Sequence, residues 1–468
     1  MTTSRTGSLS EQIAQALWQA RQAGVPAAVR ARARLHIADA CGIAMAARAT
    51  AAARQVLDAQ AGAAGSGPCR LIGGGTAAAM PAAFVNSALI HILDYDDIHD
   101  VGRLHPGTCV LPAALAAADL APCGDEELID AVALASELMC RLGVICAPRG
   151  DGPGSEWFLT QLFGYLAAAV AAGLVLRLPV PGLVSCLGLA YMQLAGGKEA
   201  GFGAGATARA IYPAFAAQGG VQAALLARAG IVGPEGALDG AAGMFRLYLG
   251  GELSGRQREQ LTALPQGWHS QQVDLKPWPC CRLSHPYVAV ALQARDAWRQ
   301  AGEPAVTVAV NASAARLCRP LPQRRRPRTL QDAKYSIPFM TACALAHGAP
   351  TLQGLSEQVL KDERVLAIAQ RVEIEERLPD NPGHPPAELL FQDAGQARQL
   401  QVFSAAHLHM DEDAARKKFE ACGQYAGMSA AQVAVAWRDV SQGRIGAALE
   451  HLARPADAGR QGAAAAPA

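Results

Sequence analysis

The sequence predicts a mainly α-helical protein that is interrupted by one α+β segment. Alanine-rich, apolar stretches dominate its first half, and aromatic residues make up only 5% of the 468 residues, a composition typical of closely packed helices. Near Gly267 the composition changes, and β-branched runs such as Val306–Val310 and Val372–Ile374 begin to alternate with helical segments. After Ala414 the pattern returns to helix. A chain of this length is expected to form two domains.

Helices are predicted in order along the chain from apolar periodicity and from their flanking residues. The predicted segments are Leu9–Ala47, Asp125–Cys146, Trp157–Leu176, Val184–Gln193, Pro286–Ala301, Ile337–His347, Ala414–Gly423 and Ser429–Leu452. The most hydrophobic run, Leu162–Leu176, is shorter than the roughly 20 residues that a bilayer requires, so it predicts a core helix. The tail from Pro455 has low complexity, which predicts disorder.

Charge and cysteine content exclude some classes of partner and favour one compartment. A net charge of +1 gives no electrostatic reason to expect nucleic acid or an anionic membrane. The basic run Arg324–Arg328 could bind a polyanion, but one isolated run favours a solvated loop. Twelve scattered cysteines without a C-x-x-C pair, and an N-terminus without an apolar core, predict reduced thiols and a cytoplasmic location.

The polar stretch His91–Pro112, which contains H-I-L-D-Y-D-D-I-H-D-V-G-R-L-H-P, lies between two apolar segments. On a helix, His91, Asp94 and Asp97 would share one face, and His105 could fold back over them after a turn. A carboxylate that orients an imidazole forms a general acid/base pair. The alternatives are a structural polar network at a helix end and a site for Mn, Fe or Zn. We rank the metal site lower because the sequence has no second ligand cluster of comparable spacing.

A second candidate stretch is Leu275–His285, L-K-P-W-P-C-C-R-L-S-H. Its two prolines hold the backbone extended and would aim Lys276 and Arg282 rigidly. Two fixed cations suit a carboxylate substrate, although Lys276 could equally be a surface lysine at a domain junction. The neighbouring thiols Cys280 and Cys281 are predicted to be core residues, since no activating histidine can be placed beside them.

These stretches resemble the MmgE/PrpD family, whose members include 2-methylcitrate dehydratase, cis-aconitate decarboxylase and iminodisuccinate epimerase. The resemblance rests on H-x-L-D-Y-D-D followed by H-P-G, on a small-residue helix before G-G-V-Q-A-A-L-L-A-R-A-G, and on L-K-P-W-P-C, and it covers roughly Ser8–Leu452. It implies a large helical domain from residues 1–266 and 401–454, and an inserted α+β lid domain from residues 267–400. It also implies a site in the cleft between domains, a homodimer, and neither metal nor organic cofactor.

Three residues match positions that line the active site of this family, namely Asp94, His105 and Lys276. Other positions depart from its pattern. Dehydratase and decarboxylase members carry histidine where this chain has Phe158, lysine and histidine where it has Arg209 and Tyr212, and many carry tyrosine where it has Phe339. An arginine can still bind a carboxylate, whereas the two phenylalanines cannot transfer protons.

The sequence therefore predicts a cofactor-independent lyase or isomerase that removes a proton α to a carboxylate of a small di- or tricarboxylate. We expect His105 as the base, Asp94 as its orienter, and Lys276, projecting into an open cleft, with Arg209 as the carboxylate clamp. Further substrate-binding candidates are Arg103, Tyr212 and Arg282. Dehydration, epimerisation and decarboxylation stay open at this point. The alternatives are a non-catalytic carboxylate-binding paralogue and, ranked lower, a metal-dependent hydrolase.

Overall fold

The computed structural model describes residues 7–61, 66–146, 154–202, 206–264, 266–380, 386–402 and 408–453. Helices dominate these ranges, so the prediction of a mainly α-helical protein is confirmed. The tail from Pro455, predicted to be disordered, lies outside the described residues. None of the helices in the described ranges is both long enough and apolar enough to cross a membrane.

The helices before Gly267 form the first part of the molecule. They are α1 (Leu9–Ala23), α2 (Ala27–Ala47), α3 (Ala51–Ala61), α4 (Ala79–His91), α5 (Pro106–Ala118), α6 (Asp125–Cys146), α7 (Leu159–Val175), α8 (Val180–Tyr191), α9 (Glu199–Phe202), α10 (Tyr212–Arg228), α11 (Met244–Tyr248) and α12 (Gly255–Thr262). The single segment predicted over Leu9–Ala47 is divided at Gly24, whose φ is 85°. Pro26 then precedes the first turn of α2, because a proline is tolerated there but not inside a helix.

Helix α7 forms the centre of this part, as predicted for a core helix. All of its residues are buried, and α5, α6, α8 and α10 pack around it. Small side chains make this close packing possible: a Cβ atom added to Gly220 in α10 would lie 2.4 Å from the Cβ of Ala168 in α7. The alanine and glycine content of the sequence therefore reflects the short distances between helices.

In the described residues, the α+β part contains one four-stranded sheet. Preceding it in the chain are the two-residue strands β1 (Cys69–Arg70), β2 (Thr76–Ala77), β3 (Ile98–His99) and β4 (Val273–Asp274); the sheet itself consists of β5 (Val306–Val310), β6 (Val372–Glu376), β7 (Ala387–Asp393) and β8 (Gln396–Val402). Strand β5 is parallel to β6, with Val306 opposite Val372, and antiparallel to β7, which forms a hairpin with β8. The helices of this part are α13 (His285–Gln300), α14 (Ala312–Ala315), α15 (Leu321–Arg325), α16 (Leu330–Lys334), α17 (Ile337–His347) and α18 (Glu363–Gln370).

The end of the chain returns to the first helical part. Helices α19 (Glu412–Tyr425) and α20 (Ala430–Ser441) pack on α2, and α21 (Ile445–Ala453) packs on α20. One large apolar core accordingly combines side chains from both chain ends, whereas a second core is formed by side chains from residues 280–408. The fold class, helices from both ends with an α+β insertion, is confirmed; the domain boundaries after residues 266 and 400 stay predictions.

Strands β3 and β4 connect the two stretches that the sequence singled out. Ile98 lies opposite Asp274, and His99 lies opposite Val273, in an antiparallel pair. Because β3 lies within the polar stretch and β4 directly precedes the stretch Leu275–His285, this short ladder brings the two stretches side by side.

Candidate active site

A cavity of about 320 Å³ lies between the two apolar cores. Its walls come from the segment between Asp94 and Tyr212 on one side and from the segment between Lys276 and Tyr335 on the other. All candidates from the sequence line this cavity, namely Asp94, Arg103, His105, Arg209, Tyr212, Lys276 and Arg282. Residues separated by up to 241 positions in sequence, as Asp94 and Tyr335 are, therefore converge on one space.

The polar stretch is not helical between His91 and Asp97, although the sequence predicts a helix face shared by His91, Asp94 and Asp97. Helix α4 ends at His91, and the backbone N–H of Asp94 donates to the His91 carbonyl in a turn. Asp94 itself has a φ of 53°, a left-handed conformation that is uncommon for residues other than glycine. The expected alignment of His91, Asp94 and Asp97 on one face is therefore wrong, because the helix ends at His91 and neither aspartate belongs to it.

Asp94 pairs with Lys276 and not with His105, so its assignment as the histidine's orienter is corrected. The Lys276 ammonium lies 2.5 Å from Asp94 Oδ1 and 3.0 Å from the Asp94 carbonyl oxygen. Burial favours a lower pKa for Lys276, but the Asp94 and Asp96 carboxylates outweigh it, and the pKa is raised. Lys276 is also completely shielded from solvent, which contradicts the expected projection into an open cleft. It forms part of the cavity wall as one half of a buried ion pair.

Asp96 is the carboxylate that faces His105. Its Oδ2 atom lies 2.8 Å from His91 Nδ1 and 3.5 Å from His105 Nδ1. Burial favours a higher pKa for Asp96, but the two histidines and Lys276 hold the pKa well below its usual value. Sequence reasoning missed Asp96, although it belongs to the D-Y-D-D run, because the direction of each carboxylate depends on the turn after α4.

His105 immediately precedes helix α5, and two contacts fix its position, one through its backbone and one through its ring. Its backbone N–H donates to Thr160 Oγ1 at 3.1 Å, and its ring Nδ1 contacts the carbonyl oxygen of Asp97. A carbonyl only accepts hydrogen bonds, so Nδ1 carries the proton and Nε2 keeps its lone pair. Burial lowers the pKa of His105 below 6.5, so the ring is neutral near pH 7. A neutral imidazole with a free Nε2 beside a cavity can act as a general base.

Asp97 holds the first turn of α5. Its carboxylate accepts the Gly107 N–H at 3.0 Å and lies 3.3 Å from His36 Nδ1. A Cβ atom on residue 107 would lie 2.8 Å from Asp97 Oδ2, which explains the glycine of the H-P-G motif. Carboxylates near a helix N-terminus are stabilised by the helix dipole.

The donor atoms of Asp96, Asp97 and His105 could surround a metal ion, since they lie within 4.8 Å of one another. Each of these side chains, however, already has a protein partner. Asp96 bonds His91, Asp97 bonds Gly107, and the Nδ1 of His105 bonds a carbonyl. The close spacing of these donors follows from hydrogen bonds within the chain, so the donor set gives no separate argument for a metal.

Arg209 and three aromatic rings form another wall of the cavity. The guanidinium carbon of Arg209 lies 3.4 Å from the ring centre of Tyr335 and 5.7 Å from that of Phe158. Tyr212 stacks on Phe158 with ring centres 4.4 Å apart, and burial raises the pKa of its hydroxyl. Stacking on aromatic faces orients an arginine, so Arg209 presents its planar group to the cavity in a fixed direction.

The aromatic residue that the inserted part contributes is Tyr335 and not Phe339. Phe339 is fully buried in the second apolar core and does not line the cavity. Its inclusion among the pocket residues is therefore wrong. The apolar helix α17 directs Phe339 inward, whereas Tyr335 precedes that helix and reaches Arg209. The sequence offers no periodic signal for a residue in such a short connection.

Arg282 is oriented by carboxylates of the chain itself. Its Nε and Nη2 atoms each donate to Asp100 at 3.0 Å, and Asp274 lies 3.7 Å away. This two-point pairing joins the two candidate stretches beside the cavity.

The two neighbouring cysteines differ in position. Cys280 is buried in the core as expected, but Cys281 lines the cavity. Burial raises the pKa of Cys281 to about 11, so its thiol stays protonated.

The cavity lining carries a large excess of positive charge. Among the described residues, two carboxylates line it, Asp94 and Asp100, against eight cationic side chains. The cations are Arg103, Lys198, Arg209, Lys276, Arg282, Arg316, Arg319 and Arg324. Half of them, Lys198, Arg316, Arg319 and Arg324, were not among the sequence candidates, and three of these come from the α+β part. Such a lining favours an anionic ligand.

Comparisons with known proteins match this chain to one family. The model of the MmgE/PrpD N-terminal domain matches residues 11–256, and that of the C-terminal domain matches residues 278–438. Cis-aconitate decarboxylase of Aspergillus terreus is 30% identical over 233 residues, 47% of this chain and 46% of the relative. Cis-aconitate decarboxylase of Mus musculus is 26% identical over 311 residues, 64% of this chain and 61% of the relative.

The chain thus aligns with about half the length of the fungal relative and with less than two thirds of the mouse one. The two family models together cover both parts of the fold, the helical part and the α+β part. The chain therefore belongs to the MmgE/PrpD family.

Proposed function

We propose that this protein is a cofactor-independent lyase or isomerase that removes a proton α to a carboxylate of a small di- or tricarboxylate. One observation supports the proposal most strongly. A neutral His105, whose Nδ1 donates to the Asp97 carbonyl, lies in a cavity that eight cationic side chains of the described residues line. Relatives named for cis-aconitate, a tricarboxylate, support the same substrate class.

In the proposed step, His105 Nε2 accepts the proton from the carbon next to a substrate carboxylate. The electron pair moves onto that carboxylate, whose growing negative charge is stabilised by the Arg209 guanidinium and by the positive potential of the cavity. The imidazolium that forms lies 3.5 Å from the ionised Asp96, which offsets its new charge. We assign Asp96 as the positioning residue of His105, and Asp94 as the partner that keeps Lys276 charged.

The aromatic stack at Phe158 and Tyr212 argues against the reactions of the named relatives. Neither ring carries a group that titrates near neutral pH, and a missing acid or base typically costs about 10²–10⁴-fold in rate. We therefore expect weak or absent turnover of 2-methylcitrate and cis-aconitate. Smaller C4 dicarboxylates and their amino or imino derivatives suit the proposed site better, because the stacked rings occupy space beside the base.

The same stack favours one alternative, a non-catalytic protein that binds carboxylates. Binding without any solvent-proton exchange would identify it. Elemental analysis of the purified protein distinguishes the proposal from the other alternative, a metal-dependent hydrolase. Stoichiometric zinc, iron or manganese, together with loss of activity in EDTA, would contradict the roles proposed for Asp96 and His105.

The proposal is tested by incubating the protein with C4 dicarboxylates in D₂O and following the substrates by NMR. Deuterium is expected at the carbon α to a carboxylate, and His105→Ala should abolish the exchange. His347→Ala, which removes a half-exposed histidine of α17, is the matched control and should exchange at the wild-type rate. Exchange that survives His105→Ala would refute the proposal, and efficient dehydration of 2-methylcitrate by the wild type would contradict the expected preference for C4 substrates.

A further inference from the structure

Lys198 lines the cavity but has few partners of its own. Its ammonium donates to the Ser155 carbonyl at 2.6 Å, and its backbone N–H donates to the Glu156 carbonyl at 2.8 Å. Within the described ranges, no carboxylate lies within 4.0 Å of this ammonium and no other acceptor bonds it. An ammonium group has three donors. Two of them are therefore left for a ligand.

Arg103 is a second cation of the cavity wall without a partner. Across the ranges that the structure describes, its guanidinium makes no hydrogen bond or ion pair. Its backbone has a φ of 54°, which costs free energy for a non-glycine residue and is found most often at functional sites. Of the five non-glycine residues that have a positive φ in the described ranges, only Asp94 and Arg103 line this cavity.

The charges around Lys198 repel one another. Burial is the main reason that its pKa falls to about 8, and Arg316, Arg103 and Arg209 lower it further, while Glu156 acts in the opposite direction. Gathering like charges in a partly buried space is unfavourable unless an anion offsets them. The cluster joins both parts of the fold, because Lys198 and Arg103 belong to the helical part and Arg316 to the α+β part.

We infer that Lys198 and Arg103 form a second anion subsite of the cavity, which binds a second carboxylate of the substrate while Arg209 binds the first. The inference rests on the proposed function, since it names the substrate class of the same site. It requires a substrate with at least two carboxylates, and it assigns Lys198 as a residue that distinguishes dicarboxylates from monocarboxylates.

The test uses calorimetry with succinate and butyrate, two saturated acids of equal chain length, neither of which carries a leaving group. Wild-type protein should bind succinate at least about 10-fold more tightly than butyrate, as charge-assisted hydrogen bonds to one carboxylate predict. Lys198→Met should remove most of this preference, weaken succinate binding by about 10–100-fold, and leave butyrate binding unchanged. Lys198→Arg should restore part of it. Lys417→Met, on the exposed side of α19, is the matched control.

Proton uptake gives a second readout that a merely structural lysine would not change. Bound anion should raise the pKa of Lys198 above its free value of about 8, so binding at pH 8 takes up to about half a proton from the buffer. Both carboxylates of succinate are already ionised at this pH. The heat of succinate binding should therefore differ between Tris and HEPES for the wild type, and agree for Lys198→Met.

Three results would overturn the inference: equal affinity of the wild type for both acids, an unchanged preference in Lys198→Met, or tighter binding of 3-phosphonopropionate than of succinate. The last would indicate a phosphorylated substrate. Because calorimetry measures binding and not exchange, these outcomes are independent of the deuterium-exchange test. Exchange activity with an unchanged preference in Lys198→Met would reject the subsite alone, whereas a Lys198-dependent preference without any exchange would reject the catalytic proposal alone.

Discussion

At the level of single residues, Lys276 contributes both to the charge of the cavity and to the stability of the fold. It is fully buried, and Asp94 and Asp96 lie 2.5 Å and 3.7 Å from its ammonium. Its removal leaves two carboxylates in the interior with one cation fewer. Breaking a buried ion pair by deleting one partner is far more costly than losing an exposed pair.

We therefore predict that Lys276→Ala destabilises the protein by about 3–5 kcal/mol, measured as the free energy of unfolding in urea. Exchange activity should be lost together with stability. The exposed Lys361 supplies the control, and Lys361→Ala should change stability by less than about 0.5 kcal/mol. A Lys276→Ala protein as stable as the wild type would show that the Asp94 pair is not formed as described.

How far the sequence predicts these residues depends on local geometry. The density of charge around His91–His105 indicates where the polar groups gather, and Lys276 of the proline-held stretch lies in the wall of the same cavity. The pairing of individual carboxylates could not be read, because Asp94 adopts a left-handed backbone conformation after α4 ends. Because of this turn, Asp94 contacts Lys276 and Asp96 lies nearer His105. No periodicity in the sequence indicates such a turn.

At the level of elements, the start of α5 determines where His105 lies. Pro106 occupies the first turn, Gly107 allows close approach, and the Asp97 carboxylate accepts the Gly107 N–H. The Asp97 carbonyl meanwhile binds the ring of His105. The side chain of Asp97 therefore stabilises the N-terminus of α5, and its backbone carbonyl orients the ring of His105.

We predict that Asp97→Ala lowers the free energy of unfolding by about 1–2 kcal/mol, the usual cost of removing a carboxylate that holds a helix N-terminus. Chemical denaturation measures this directly. Asp58→Ala, an exposed position in α3, should stay within about 0.5 kcal/mol of the wild type. An Asp97→Ala protein with unchanged stability would contradict the proposed role of this carboxylate.

Individual elements differ in how well the sequence predicts them. Helix α6 coincides with the predicted Asp125–Cys146, because an acidic first turn and an amphipathic pattern mark it clearly. Helix α8 begins four residues before the predicted Val184, since Pro181 falls within its first turn, where proline is allowed. The pair β3–β4 was not predicted, because two-residue strands joined across 175 positions leave no local pattern.

At the level of the whole molecule, the cavity exists because both chain ends build one core and the insertion builds another. The sequence predicts this arrangement, because β-branched residues, which favour strands, become frequent near Gly267 and the helical pattern returns after Ala414. The contribution of Arg316, Arg319 and Arg324 to the cavity could not be predicted, as it depends on how the insertion packs against the helical part. The homodimer implied by the family stays a prediction.

The proposed base of this cavity is His105, neutral and held in place by Asp97 and Asp96. Because burial lowers the pKa of His105 below 6.5, the neutral base persists to lower pH than for a free histidine. The negative charge of Asp96 acts in the opposite direction and favours the imidazolium. Asp96→Asn should therefore lower the pKa of His105 further.

The most direct measurement is the pH dependence of kcat/KM for deuterium exchange into a C4 dicarboxylate. We predict a rate that is constant near neutral pH and falls tenfold per pH unit below a midpoint under 6.5, with that midpoint displaced to lower pH in Asp96→Asn. A rate that rises as the pH falls through 6, or a midpoint that does not move in Asp96→Asn, would contradict the account.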